Sequence, residues 1–288
     1  MRSIKAIHKT VYEPISDLVT SRAMPTQSVP INAVDPFIFL NHHGWQEYLP
    51  KNHGLPFGPH PHRGFETVTF ILAGDLTHKD SSGVVSVIKA GGVQWMTAGK
   101  GLIHAEVSSE EFKTKGGPLE ILQLWVNLPA KYKMTKPKYI GLQKEQIPVV
   151  LLDDDKVKLH LVSGKWKDVD APVKPLTDIH LCWIEFKERG KVDFSVPAEQ
   201  NIFFYVVKGE VNVNGKDVMM LHLALFNHDD EDVQIKANTD AVILFGYAMP
   251  FNEPFVAYGP FVMNTREEIM QAYEDYRKGE FGREEELM

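Results

Sequence analysis

Short runs of Val, Ile, Leu and Phe, broken by Gly, Pro, Asn and Asp, make up most of the chain. The clearest are Thr67–Ala73, Val84–Lys89, Leu119–Leu128, Val157–Val162, His180–Phe186, Ile202–Val207, Val211–Asn214 and Ala241–Tyr247. Runs this short, with turn residues at close spacing, predict the strands of an all-β barrel or sandwich. Helical periodicity is confined to the C-terminal end, where a helix is predicted from Arg266 to about Lys278. Thr265 is its candidate N-cap, with Glu268 placed to complete a capping box. Ile269, Tyr273 and Tyr276 fall on one face, which is expected to pack against a sheet.

The pattern repeats. Phe70-Ile71-Leu72-Ala73-Gly74-Asp75-Leu76 matches Tyr205-Val206-Val207-Lys208-Gly209-Glu210-Val211 in chemistry at every position but Ala73/Lys208: a strand, a Gly-acid turn and a return strand. The copies lie close to half a chain apart, as a duplicated β domain requires. The expected division is an N-terminal barrel over 1–130, a linker over 131–155, and a C-terminal barrel with the short helix over 156–288.

Composition narrows the class. A chain of 288 residues suits two domains, and 43% hydrophobic content with a mean hydropathy of -0.21 provides a core without any apolar run of roughly 18 residues. No membrane association is expected. Met1–His8 lacks the apolar stretch of a secretory signal, and the single Cys182 excludes an intrachain disulfide, so a cytoplasmic location is expected. A net charge of -7 argues against direct nucleic-acid binding. The one basic cluster, Lys131 to Lys138, is punctuated by Pro129 and Pro137 and is read as a solvated interdomain loop. Glu284-Glu285-Glu286 is read as a solvated terminus.

Chemistry is concentrated in two short stretches. His60 and His62, in Phe57-Gly58-Pro59-His60-Pro61-His62-Arg63-Gly64-Phe65-Glu66, and His104 and Glu106, in Gly101-Leu102-Ile103-His104-Ala105-Glu106, are both ligand-type pairs at i and i+2. Residues two apart on a strand point to the same face, so each pair presents both side chains to one spot, and two facing pairs make a four-ligand metal site. Gly64, Gly74, Gly91, Gly92, Gly99 and Gly101 allow the strand reversals such a site needs, and Pro61 places its segment at a strand start or a barrel rim. The half-chain offset carries His60 to Ser195, His62 to Pro197 and Glu66 to Asn201, so one metal per chain is expected. His42, His43, His53 and His78 are read as surface or structural, with His42 and His43 also candidates for the pocket mouth. Phe57 and Phe65 are read as barrel core, Phe57 also as a pocket wall, and Trp95 and Trp125 as core.

His60-x-His62 with Glu66 and Gly74, followed by Gly101-x-x-His104, resembles the two motifs of the cupin superfamily. Several further stretches resemble the pirin family: His60 through Val68, Gln94-Trp95-Met96-Thr97-Ala98-Gly99, Leu122-Gln123-Leu124-Trp125-Val126-Asn127-Leu128, and Gly259-Pro260-Phe261-Val262-Met263-Asn264-Thr265. The resemblance implies a bicupin, two tandem cupin β-barrels with one metal in the N-terminal barrel, and His60, His62, His104 and Glu106 as its ligands. Most cupins take the acidic ligand from the first motif, here Glu66. Pirins take it from the second, which leaves Glu66 to orient a histidine or the backbone behind the ligands.

Three imidazoles and one carboxylate would leave a divalent ion near +1 with open positions, a set suited to Fe(II) and also to Mn, Co, Ni or Cu. The resemblance implies quercetin 2,3-dioxygenase activity, with a planar phenolic substrate, O2, and Glu106 as both ligand and base for the 3-hydroxyl. The alternative it leaves open is an iron-binding, redox-sensitive regulatory protein acting through protein partners. A metal-dependent isomerase or hydrolase is a third reading.

Overall fold

The computed structural model describes residues 1–287 and is built from strands, with three short helices of four to twelve residues. In chain order the first half supplies β1 (Ile4–Lys9), β2 (Val11–Tyr12), β3 (Thr20–Met24), β4 (Phe37–Tyr48), β5 (Phe57–His62), β6 (Phe65–Ala73) and β7 (Asp75–Asp80). It continues with β8 (Val85–Lys89), β9 (Val93–Thr97), β10 (Leu102–Val107), α1 (Glu110–Lys115), β11 (Gly117–Asn127), α2 (Ala130–Lys133) and β12 (Lys138–Leu142). The second half supplies β13 (Val149–Leu152), β14 (Val157–Ser163), the small hairpin β15 (Lys165–Trp166) and β16 (Val169–Asp170), β17 (Ile179–Phe186) and β18 (Lys191–Ser195). After β19 (Asn201–Lys208) and β20 (Glu210–Val213) come β21 (Lys216–Met219), β22 (His222–Phe226), β23 (Asp232–Ala237), β24 (Ala241–Ala248), the hairpin β25 (Val256–Tyr258) and β26 (Phe261–Met263), and α3 (Arg266–Arg277). The eight strand runs and the helix read from the sequence are all present. Both arms of the capping box form: Thr265 accepts from the Glu268 N–H, and the Glu268 side chain accepts from the Thr265 N–H.

Each half forms a two-sheet barrel, and strand order exposes the duplication. The N-terminal barrel has a four-stranded sheet β5-β10-β7-β8 and a seven-stranded sheet β12-β9-β6-β11-β4-β3-β2. In the C-terminal barrel the sheets run β18-β23-β20-β21 and β1-β22-β19-β24-β17-β14-β13, a position-by-position match. The Gly74 and Gly209 turns therefore sit at equivalent corners.

The division by chain order does not hold. One compact unit consists of Met1–Val11, Ser21–Phe39 and Glu145–Phe251; the other of Tyr12–Thr20, Leu40–Lys144 and the chain from Asn252 onward. Strand β1 pairs antiparallel with β22, Ile7 opposite Ala224, and so fills in the C-terminal barrel the place that β12 fills in the N-terminal one. At the other end, α3 buries Ile269 and Ala272 in a cluster with Ile103, Phe261 and Phe281 of the N-terminal unit. The stretch 131–155 is no linker, because β12 extends one barrel and β13 the other. An edge strand finds its partner by pairing at long range, and local composition carries no trace of that choice.

Ladder pairing also refines the comparison of the two interiors. His60 opposite His104, and Glu106 opposite His78, correspond to Phe194 opposite Val233 and Ile235 opposite Val213. All four second-barrel residues are buried in one apolar cluster. The C-terminal interior is packed hydrocarbon where the N-terminal interior is polar, and the equivalent of His60 is Phe194 rather than Ser195. Among the described residues no helix is long and apolar enough to cross a membrane.

Lys133 departs from the expected solvated loop. Its side chain is 1% exposed, and its ammonium donates to the Gly64 carbonyl (2.9 Å), Asn127 Oδ1 (2.6 Å) and the Val262 carbonyl (3.0 Å). It ties the β5–β6 turn to β26. Lys133→Met would keep the stem and remove the donors, leaving buried acceptors unpaired. An expected loss of about 1–3 kcal/mol follows, read as a lower urea midpoint at unchanged m-value.

Candidate metal centre

The site forms on the face of the four-stranded sheet that looks into the N-terminal barrel. Strand β5 lies at the edge of this sheet, where Pro59 and Pro61 cost no ladder donor, so the prolines between the histidines are tolerated. In register, His60 stands opposite His104, which stands opposite Asp80 on the far side of β10. Two residues along β10, Glu106 stands opposite Phe57 and His78, after an irregularity in the β5 pairing between His104 and Glu106. Directly opposed residues share a face, so both ligand-type pairs, together with His78 and Asp80, point inward.

Three imidazoles converge. His60, His62 and His104 each place a ring nitrogen so that all three atoms lie within 4.8 Å of one another. Their ring centroids are 4.4 to 5.0 Å apart. His60 is half-buried, His62 is 3% exposed and His104 has no exposed surface. Backbone carbonyls hold the first two: His60 Nδ1 lies 2.7 Å from the Gly58 oxygen and His62 Nδ1 lies 3.2 Å from the Pro260 oxygen. A carbonyl only accepts, so each Nδ1 carries the proton and each Nε2 offers a bare lone pair. The turn after β5 requires glycine: Gly64 has φ +89°, and a Cβ there would stand 1.9 Å from the Val262 oxygen.

Glu106 is not one of the three converging groups. It is buried, and a polar cradle holds it: Gln94 donates to Oε1, Gln123 donates to Oε2 at 3.3 Å, and Thr69 Oγ1 lies 3.2 Å from Oε1. Thr69 also accepts from Gln94 at 3.1 Å, and Tyr139 donates to Gln94 Oε1 at 3.3 Å. Burial pushes the Glu106 carboxyl above its ordinary value, against the pull of His60, His78, Thr69 and Gln123. Burial, reinforced by neighbouring imidazoles, holds His62 and His104 well below the ordinary histidine value. Both are neutral near pH 7, as metal ligands must be.

Glu66 lies elsewhere. Along β6 it alternates with Thr67 and Thr69 and is registered with Thr97 and Val126, on the sheet face opposite the one carrying Thr69, Gln94 and Gln123. Its Oε1 accepts from Thr97 at 2.5 Å. It therefore orients no ligand histidine. His78, read as surface or structural, has no exposed surface: it stacks on Tyr139 (centroids 4.1 Å), its Nε2 lies 2.9 Å from Asp80 Oδ2, and its ring is 5.4 Å from that of His104. His78-x-Asp80 is itself an i,i+2 polar pair on a return strand, so the spacing rule that found the other two pairs would have found it too. Trp125, read as core, is half-buried with its ring 5.4 Å from that of His62 and 4.4 Å from Phe65. Of the remaining histidines, His42 meets Glu120 at 3.0 Å, His43 meets Thr20 at 2.9 Å and lies 5.2 Å from Phe57, and His53 is exposed.

Comparison with known proteins adds sequence-wide support. The Pirin family model matches residues 18–126, and that of the Pirin C-terminal cupin domain matches residues 182–282. The chain belongs to the pirin family. This pirin is 37% identical over 248 residues to a Pseudomonas aeruginosa protein provisionally named a quercetin 2,3-dioxygenase, covering 86% of this chain and 87% of the relative. The crystal structure titled quercetin 2,3-dioxygenase from Acinetobacter baumannii superposes with a TM-score of 0.92 at 33% identity, over 98% of this chain and 99% of that one. A bacterial pirin from Escherichia coli, YhhW, solved in complex with nickel(II), shares the fold: TM-score 0.67, 22% identity, 85% of this chain and 99% of that one. The bicupin architecture read from strand order is thus the architecture of solved pirin relatives.

The buried imidazoles set an acid limit on the metal-free protein. Folding keeps His62 and His104 neutral, whereas the unfolded chain binds protons near pH 6.5. Their contribution is therefore fully present above about pH 6.5 and lost as pH falls below it, at up to about 1.4 kcal/mol per pH unit per imidazole. Glu106, raised by burial, works in the opposite sense. Urea midpoints of metal-free protein between about pH 8 and pH 5 measure the net slope, and a His62→Gln/His104→Gln double variant should flatten it.

Proposed function

We propose that this chain is a metal-dependent dioxygenase of the pirin type that opens quercetin-like flavonols with O2 and releases CO. The observation that carries the reading is the convergence of His60, His62 and His104 within 4.8 Å, inside a barrel that also buries Glu106. The donor set fits a metal: among the described residues, neither ring nitrogen of buried His104 has a hydrogen-bond partner, a cost that a bound cation would relieve. His60, His62, His104 and Glu106 would hold a divalent ion, Fe(II) in this proposal, with Mn, Co, Ni or Cu suited to the same nitrogen and oxygen donors. The Acinetobacter protein's title and the nickel(II) in the Escherichia coli pirin agree with that reading. Such an ion would supply a Lewis acid for an enolate oxygen and a redox partner for dioxygen.

The chain's own residues account for the rest. Glu106 is the base for the flavonol 3-hydroxyl. The proton passes to its carboxyl, which burial already biases toward the protonated state, while Gln94, Gln123 and Thr69 keep it in place. Phe65 and Trp125 flank His62 with flat apolar surface suited to an aromatic ring system. The carbonyls of Gly58 and Pro260 fix the tautomers of His60 and His62 before any ligand arrives.

The test is to load the protein separately with Fe(II), Mn, Co, Ni and Cu and to follow aerobic quercetin loss together with CO release. Turnover with at least one ion is expected, and no turnover with any of them at full occupancy would sink the proposal. His62→Ala and Glu106→Ala are each expected to lower both metal occupancy and turnover by at least about 100-fold. Activity surviving both changes would overturn the ligand set.

A further inference from the structure

Two of the three converging histidines have a partner behind them, and the third does not. A metal-binding imidazole uses one nitrogen for the ion and carries its proton on the other, and that N–H needs an acceptor. His60 has the Gly58 carbonyl and His62 the Pro260 carbonyl. For His104, fully buried on the central strand β10, neither ring nitrogen has a partner among the described residues.

The adjacent ring has the complementary defect. Asp80 is anchored at the β7–β8 turn, its Oδ1 accepting from the Ser82 N–H (2.8 Å), the Ser82 hydroxyl (2.6 Å) and the Val84 N–H (3.3 Å). Its Oδ2 faces His78 Nε2 at 2.9 Å. An anchored carboxylate accepts, so His78 carries its proton on Nε2 and Nδ1 is a bare acceptor. That Nδ1 is buried and, among the described residues, without a partner. Tyr139 stacked at 4.1 Å holds the ring in plane. The His78 and His104 centroids are 5.4 Å apart, the span of two rings joined by one N–H···N bond.

We propose that His78, held by Asp80, is the acceptor for the His104 N–H when the metal is bound, forming a continuous relay from Asp80 through His78 to His104 and the ion. This rests on the metal reading above and adds a positioning residue to it. In the C-terminal barrel the equivalents of His78 and Glu106 are Val213 and Ile235, and that of His104 is Val233, so the acceptor is absent where the ligands are absent. The relay gives His104 the fixed tautomer that its neighbours obtain from backbone carbonyls. Metal affinity should therefore depend on a side chain that never touches the ion.

The test uses the full chain loaded with Co(II) and proton NMR in water, where each ligand imidazole N–H gives a hyperfine-shifted, exchangeable signal. Three such signals are expected in the wild type. In His78→Phe, which keeps the stacking on Tyr139, one signal should exchange at least 10-fold faster while the two backed by carbonyls persist. Co(II) should bind about 10–100-fold more weakly. His78→Gln restores an acceptor oxygen and should slow that one signal again, an outcome that a merely packing role for His78 would not produce. Three unaltered signals in folded His78→Phe, with folding checked by thermal unfolding of the metal-free proteins, would overturn the relay. Failure of the wild type to give three imidazole signals would instead remove the metal centre on which the relay rests.

Discussion

An imidazole placed inside a barrel of hydrocarbon must have both of its nitrogens satisfied, and much of this molecule follows from that requirement. The Gly58 carbonyl answers it for His60, and the Pro260 carbonyl for His62. The second of these comes from the far end of the chain, so the C-terminal hairpin must lie against β5. Gly64 is the residue that lets it approach so closely, and Lys133 clamps the two backbones together through Gly64 and Val262. Arg63, whose guanidinium meets Asp275 at 2.7 Å and lies over the Phe281 ring, fastens α3 to the same turn. A requirement of one nitrogen thus reaches out to a helix.

The two barrels show what that requirement costs and what happens when it is lifted. They share strand order, corner glycines and fold, yet where one interior holds His60, His78, His104 and Glu106 the other holds Phe194, Val213, Val233 and Ile235. Hydrocarbon packs without partners, whereas every polar group in the first interior draws in another. The polar cradle of Glu106 illustrates the chain reaction: Gln94 serves Glu106, Thr69 serves Gln94, and Tyr139 caps Gln94. Such a network is a commitment to chemistry, because nothing in folding alone favours it over leucine.

The strands, the terminal helix and the duplication were legible because each leaves a local mark: alternation, a capping box, a Gly-acid turn. The convergence of His60, His62 and His104 was legible because a period of two survives along a single strand. The resemblance sets Glu66 behind the ligands, but Gly64, at φ +89°, breaks the extended chain between β5 and β6, and Glu66 comes out on the sheet face opposite Thr69. Lys133 and the domain division went astray because their partners, residues 64, 127 and 262 in one case and β22 in the other, are remote in sequence. His78 and Asp80 satisfy the same spacing rule on β7, but they lie outside the stretches that resemble the family motifs.

The exchange of terminal segments has a consequence for how the protein comes into being. A chain made from its N-terminus releases β5, β10 and all three histidines well before Pro260, Arg266 and Phe281 emerge. Until then His62 lacks its carbonyl and Arg63 its carboxylate. His62 is therefore the one of the three converging histidines whose backbone partner is made late, while His60 has its Gly58 carbonyl from the start.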